Sequence, residues 1–331
     1  MLTIFISTRN GGRTLPRLLD AYTRLEQPPG GWKLVIVDNG STDATREIIE
    51  SFQQRLPLTY LFEGRMGKNV ALNTALAHLD GDLAVFSDDD TFPRPDWLLL
   101  LCNAADRLPE YSMFGGKVIG HWETEPPPWL EWVNQPAVFA LSSPALKEGP
   151  VAPCNVFGPN MAVRAEFFYS GTRFEESIGP CGSNYAMGSE SELLWRLGEQ
   201  GCKAWHVENA VVEHFIRCYQ LDKSWVLKRG IRLGRGQLRM RITEEPEAIS
   251  PLLGIPPIVL FKILVRALRV VRHSLAPASR QSFTARWEYN LYRGYLIEAC
   301  QLKKRALQEW LRSRHHDRCS SGAEADGQKS A

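Results

Sequence analysis

The sequence lacks any long uninterrupted apolar run. Its longest, Ile255 to Val265, is broken by Pro256, Pro257 and Lys262 and falls short of what a bilayer-spanning helix needs. The opening residues, Leu2-Thr3-Ile4-Phe5-Ile6, lack the basic region, apolar core and small-residue cleavage site of a secretory signal, so a site facing the cytoplasm is expected. No Cys-x-x-Cys pair occurs. The seven cysteines (Cys102, Cys154, Cys181, Cys202, Cys218, Cys300 and Cys319) are odd in number and scattered, which argues against a disulfide framework or a zinc site and predicts reduced, mostly buried thiols. Internal repeats and the glycine-rich Walker spacing are also missing.

What remains is enough for a large core: 331 residues, 44% apolar and 23% charged. The net charge of +2 conceals a break. Residues 1–216 carry 17 Lys+Arg against 27 Asp+Glu and residues 217–318 carry 21 against 8, so −10 is followed by +13. This pattern predicts an acidic catalytic region and then a basic segment that meets phosphate, an anionic membrane surface or only solvent. A nucleic-acid partner is disfavoured, because the acidic half would repel the strand.

Over residues 1–120 short apolar runs alternate with helix-period segments. Leu2–Ser7, Leu34–Val37, Leu58–Phe62, Leu83–Ser87 and Met113–Ile119 are predicted strands. Leu15, Leu18, Leu19, Tyr22 and Leu25 form one helical stripe, and Ser41 or Asp43 is placed to cap a helix containing Ile48, Ile49 and Phe52. Such alternation predicts an α/β fold with a mostly parallel sheet flanked by helices, whose ligands bind at the carboxyl ends of the strands.

Three polar clusters fall at those ends: Thr8-Arg9-Asn10, Asp38 to Asp43, and Asp88-Asp89-Asp90. Asp38 is placed either to accept hydrogen bonds from a base or ribose or to cap a strand-to-helix turn. Three adjacent carboxylates repel one another unless a cation is near. Asp88 and Asp90 alternate along an extended chain and suit Mg²⁺ or Mn²⁺, and a solvated acidic turn is the competing account. Gly67 and Lys68 open a predicted helix whose N-terminus favours phosphate. The Trp- and Pro-rich stretch His121 to Pro153, with Trp129 in it, has no regular period and is expected to be an active-site loop.

In order and spacing these motifs resemble family-2 glycosyltransferases of the GT-A fold, over roughly residues 2–216. Ile4 to Asn10 is similar to that family's opening strand, Val35 to Asp43 to its nucleotide-binding run and Phe86 to Asp90 to its metal motif. The resemblance implies a nucleotide-diphosphate sugar donor held by Thr8, Arg9, Asn10, Asp38, Gly67, Lys68, Asp88 and Asp89. It also implies a metal held by Asp88 and Asp90, and inversion at the anomeric carbon. Gly158 to Ala162 is similar to the Gly-x-Asn segment near the acceptor, which makes Asn160 an acceptor-side candidate, as is Trp129 of the irregular stretch. Ala210 to His214 is similar to the strand whose terminal histidine completes the metal shell or contacts phosphate.

The base motif departs from the family's pattern. Ser189 stands at the usual Glu and Glu190 at the usual Asp. Ser189 and Glu192 have capping-box spacing. Glu190 is spaced from Leu193, Leu194 and Leu197 to lie on the edge of the apolar stripe, where burial would raise its pKa and suit a general base, or where it complements the helix dipole.

The expected organisation is a catalytic domain over 1–216 (nucleotide half about 1–120, acceptor half about 121–216), a basic helical extension over 217–319 and a disordered tail over 320–331. Within the extension Lys262, Arg266, Arg269 and Arg272 recur on one helical face, opposite an apolar one. Segment 255–275 is therefore expected to lie on the inner face of the cell membrane or to pack in the core. Arg229, Arg232, Arg235 and Arg239 are candidates for donor or lipid phosphate. The acceptor expected from this reading is a glycan or lipid-linked sugar in polysaccharide or glycolipid synthesis. A sugar-phosphate nucleotidyltransferase and a non-catalytic membrane-associated binding protein are the competing functions.

Overall fold

A computed structural model describes residues 1–182, 185–244, 257–275 and 279–326; side chains are described outside 243–258 and up to 304. The chain divides into two compact units, Met1–Leu233 and Gly234–Ala331.

The first unit follows the predicted alternation: β1 (Leu2–Thr8), α1 (Leu15–Tyr22), β2 (Trp32–Asp38), α2 (Thr45–Ser51), β3 (Leu58–Phe62), α3 (Lys68–Ala75), β4 (Leu83–Asp88). Then come β5 (Thr91–Pro93), α4 (Trp97–Arg107), β6 (Met113–Trp122), α5 (Gln135–Phe139), β7 (Gly149–Val151), β8 (Met161–Arg164), α6 (Glu166–Tyr169), α7 (Ser189–Glu199) and β9 (Ala204–Ile216). They form one nine-stranded sheet in the order β3-β2-β1-β4-β8-β6-β9-β5, with β7 beside β9. The predicted parallel pairing holds for β3-β2-β1-β4 and for β6 with β9. Antiparallel pairs β4/β8, β6/β8, β5/β9 and β7/β9 make the other half mixed.

Register sets the site. Thr8 pairs with Asp38 and Ser7 with Asp88, so the carboxyl ends of β1, β2 and β4 finish level. Thr91 pairs with His214, which brings the end of the aspartate run to β9. Beneath this edge Phe5, Val37, Phe86, Phe174, Leu193 and Leu197 form one buried cluster that fixes α7 against the sheet. The α1 stripe is buried as its period requires. The β6/β9 register slips at Gly116, where a Cβ would meet the Asn160 Nδ2 at 2.2 Å; only glycine fits that approach.

Several local expectations fail. Helix α2 starts without a side-chain cap: Ser41 instead accepts from the Asn10 N–H, and Asp43 accepts from Gly12 and Thr45, tying the β1 and β2 loops together. No capping box forms at α7. Gly188, at φ 115°, takes the N-cap position and delivers the chain into the helix one residue early, so Ser189 is already helical, and Glu192 pairs with Arg196. The thiols are not mostly buried. Cys154, Cys181, Cys218 and Cys300 are exposed, on loops, turns and an outer helix face.

Helix α8 (Lys223–Glu244) leads into the second unit, which continues with α9 (Pro257–Arg272) and α10 (Arg280–Asp326). Leu238, Val259 and Ala299 form its small core with Ile263, Tyr292 and Leu296. Arg235 and Arg239 reach the buried Glu298 at 2.6 and 2.5 Å, so these two arginines neutralise a core carboxylate and do not present themselves to phosphate. Residues 320–326, expected to be irregular, continue α10, as their alanines and acids permit; residues 327–331, and Ile255 and Pro256 of the expected membrane segment, lie outside the described residues. Among the described residues no helix is long and apolar enough to cross a membrane.

Candidate functional site

At the tip of β2, Asp38 is buried. It accepts a hydrogen bond from the Ser41 N–H at 2.8 Å and one from the Tyr60 hydroxyl at 3.3 Å. Its neighbour Asn39, absent from the sequence-based candidates, accepts from the Gly67 N–H at 2.7 Å and donates to the Glu63 and Arg65 carbonyls. That clamp aims the start of α3 at the sheet edge. The signal was in the sequence as Asp-Asn-Gly, a turn tripeptide with a side-chain amide. Asn10 adopts a left-handed φ of 55° and accepts from the Thr42 N–H, which makes its side chain part of the loop frame; Arg9 is exposed.

The aspartate run splits among three partners. Asp88 accepts from the Lys68 ammonium at 2.5 Å, and the same ammonium reaches Glu190 at 2.6 Å. Asp89 accepts from the Thr8 hydroxyl; burial, and then the Asp90 charge, push its carboxyl up to about 7. Asp90 faces the Arg217 guanidinium at 2.9 Å and His214 Nε2 at 3.4 Å. Burial opposes its charge, but His214 and Arg217 outweigh that and hold it down at about 2.

Glu190 lies on the inward edge of α7, as its spacing predicted. Its side chain crosses Gly158, where a Cβ would sit 2.5 Å from the carboxyl carbon. Burial alone would raise its pKa, yet the Lys68 ammonium, with a backbone N–H and the Arg229 charge, carries it below the ordinary range. The expected upward shift is thus reversed: the carboxylate is ionised and held in place. Ser189, where the family's Glu usually stands, packs against the loop before α7, and a Cβ on Gly179 would lie 2.1 Å from its hydroxyl.

The expected Asp88–Asp90–His214 metal triad is not assembled. Lys68 draws Asp88 away, and among the described residues no three His, Cys, Asp or Glu side chains are clustered to hold an ion. Asp90 and His214 alone are adjacent. His214 Nδ1 lies 2.7 Å from the Phe139 carbonyl, which only accepts, so the proton sits there and Nε2 turns to Asp90. A carboxylate beside an imidazole oriented by a carbonyl fits a divalent cation as a two-residue protein contribution.

On the acceptor side the expectations change. Asn160 is fully buried, accepts from the Trp97 indole and donates to the Lys117 and Ala210 carbonyls, so it holds the β6/β9 irregularity and offers no group to a substrate. The faces of Trp129 and Trp132 carry the Lys223 ammonium, at 5.5 and 5.0 Å. Phe139 instead stacks on Trp225 at 6.0 Å, with Trp122 edge-on. Arg229 stands over Trp225 at 5.3 Å with its buried Nε unpaired, and Arg232 covers Tyr185 in the loop before α7. Arg217 and Trp225 went unnoticed in the sequence, although a base three residues past His214 marks the strand end.

Residues 3–161 match the model of glycosyl transferase family 2. The chain is 35% identical over 100 residues to validoxylamine A glucosyltransferase of Streptomyces hygroscopicus subsp. limoneus, which is 30% of this chain and 22% of that protein. It is 23% identical over 159 residues to the glucosyl-dolichyl phosphate glucuronosyltransferase of Haloferax volcanii, 46% of this chain and 49% of that one. The chain therefore spans from about a fifth to half the length of these relatives. Among solved structures, the mannosyltransferase PcManGT of Pyrobaculum calidifontis, in complex with GDP-Man and Mn²⁺, superposes with a TM-score of 0.54 at 19% identity, over 90% of this chain and 85% of that one. TarS 1–349 of S. aureus in complex with UDP gives 0.50 at 15% identity, over 88% and 89%. The fold is that of GT-A-type transferases.

Proposed function

We propose that the chain, whose residues 3–161 match the model of glycosyl transferase family 2, is an inverting glycosyltransferase that moves a sugar from a nucleotide-diphosphate donor to an acceptor hydroxyl. The observation that carries this reading is the single Lys68 ammonium shared by Asp88, at the nucleotide edge, and Glu190, on the opposite wall. One cation joins the place where a diphosphate would leave to the place where a proton would be taken.

In this reading Asp38, with Tyr60 behind it, meets the base, and Asp88 and Asp89 meet the ribose and diphosphate. Lys68 and the N-terminus of α3 stabilise the charge that develops as the anomeric carbon parts from the diphosphate oxygen. Glu190 takes the acceptor O–H proton while that oxygen bonds to the anomeric carbon from the far face. One displacement inverts the centre. The low pKa keeps Glu190 unprotonated and able to accept, and transfer of the ammonium's contacts to the donor phosphates restores its basicity. Asp90 and His214 would hold Mg²⁺ or Mn²⁺, which when bound neutralises diphosphate oxygens. Arg229, with an unpaired Nε near Glu190, is a further candidate for the diphosphate.

The acceptor is proposed to be a glycan or lipid-linked sugar, and the protein to work at the cytoplasmic face of a membrane. The relatives named above transfer glycosyl groups, which favours this reading over a nucleotidyltransferase. A panel of nucleotide sugars with Mg²⁺ or Mn²⁺ tests it: release of nucleoside diphosphate from one donor is expected, whereas release of pyrophosphate from a nucleoside triphosphate and a sugar phosphate would overturn it.

A further inference from the structure

We propose that α9 docks on an anionic lipid bilayer through an inserted apolar stripe, Phe261, Leu264, Leu268 and Val271, with Leu275 beyond it. This deepens the membrane part of the reading above and rests on it.

The four basic residues of α9 recur on one helical face, and the structure turns three of them toward α10. Lys262 and Arg266 lie over the Tyr292 ring at 5.9 and 4.6 Å, and Arg269 reaches Glu288 of α10 at 2.9 Å. The face left open is the apolar one: Phe261 is 62% exposed, Leu264 58%, Leu268 61%, Val271 68% and Leu275, in the following turn, 95%. Spacings of three and four set these side chains in one line along the helix. A contiguous stripe of large apolar groups is unusual for a face that meets only water.

Charge identifies the occupant. From residue 248 to 287 the sequence has no Asp or Glu, but it has Lys262, Arg266, Arg269, Arg272, Arg280 and Arg286. Arg272, four residues after Leu268, borders the stripe and is exposed. Two copies of this chain packed stripe to stripe would oppose Arg269 and Arg272 with their like, which disfavours self-association. A bilayer with anionic headgroups accepts both parts: acyl chains for the stripe, phosphates for the rim.

The full chain is tested by sedimentation with phosphatidylcholine vesicles containing phosphatidylglycerol and with pure phosphatidylcholine vesicles. The wild type should bind the anionic vesicles. The triple variant Phe261→Gln, Leu264→Gln, Leu268→Gln should lose about 100-fold or more in partitioning, because three insertable side chains are removed from an already exposed face. Arg272→Gln should lose only about fivefold, and only on anionic vesicles. Should the triple variant misfold, the single Leu268→Glu gives the same reading. Nucleoside diphosphate release with water as acceptor should be unchanged in all of them, so loss of docking and failure of the transferase reading are separable. Equal vesicle binding by the triple variant and wild type overturns the proposal. So does a wild type that ignores anionic vesicles, or one that is dimeric while the triple variant is monomeric.

Discussion

Two charge clusters in this chain use the same chemistry in opposite proportions. At Lys68 one cation serves two carboxylates, and each of the three side chains keeps 17–25% of its surface open. At Glu298 one carboxylate serves two guanidiniums, and none of the three exceeds 8%. The helical cluster is closed and satisfied, which is how a buried charge is tolerated in a core. The sheet-edge cluster is short of positive charge and within reach of solvent, so a bound cation or a rearranged lysine has something to do there. Openness and imbalance, more than the presence of charge, separate a site from a staple.

The comparison is sharpened first where the effect should be largest. Asp90→Ala should abolish metal-dependent donor binding and transfer while the circular dichroism spectrum is retained, and unchanged metal dependence of turnover would remove Asp90 and His214 from the cation site. Next, Glu190→Gln should keep donor affinity and lose about 10²–10⁴-fold in transfer rate, since an amide fills the space over Gly158 but takes no proton. Near-normal kcat moves the base elsewhere. On the other side of the comparison, Glu298→Gln should cost about 3–5 kcal/mol of stability in urea titration, because it removes the buried carboxylate on which Arg235 and Arg239 converge. A change below about 1 kcal/mol would mean that the cluster is looser than its geometry. The smallest effect is expected at Arg229. Its conversion to lysine should weaken donor affinity by about tenfold with little change in kcat, as for loss of one charged hydrogen bond, and an unaltered donor Kd would leave Arg229 as packing against Trp225.

Much of this was legible in the residues, for physical reasons. The five strand runs stand out because both faces of the sheet are covered, which demands uninterrupted apolar stretches. Glu190 was placed on the inward edge of its helix by spacing to Leu193, Leu194 and Leu197 alone. The partner that decides its charge was not visible, because Lys68 lies 122 positions away and meets it only through the fold. For the same reason the expected Asp88–Asp90 pairing failed: alternation along a strand fixes side-chain direction, but Lys68, Arg217 and His214 fix which cation each carboxylate meets. The motif position of Asn160 and the loop composition around Trp129 do not report that one is saturated in the core and the other covered by Lys223. For α9, periodicity shows a basic and an apolar face without saying which turns inward. Tyr292 and Glu288 settle that.

On the proposed function, the Lys68–Asp88–Glu190 arrangement carries a single inverting displacement on a nucleotide sugar. Proton NMR of freshly released sugar, recorded before mutarotation with water as acceptor and the donor found by the nucleotide-sugar panel, tests it most directly. Nucleoside diphosphate and a sugar of anomeric configuration opposite to the donor's are expected, with the signal lost in Glu190→Gln. A sugar of retained configuration, or a Glu190→Gln variant that releases it at the wild-type rate, would contradict it.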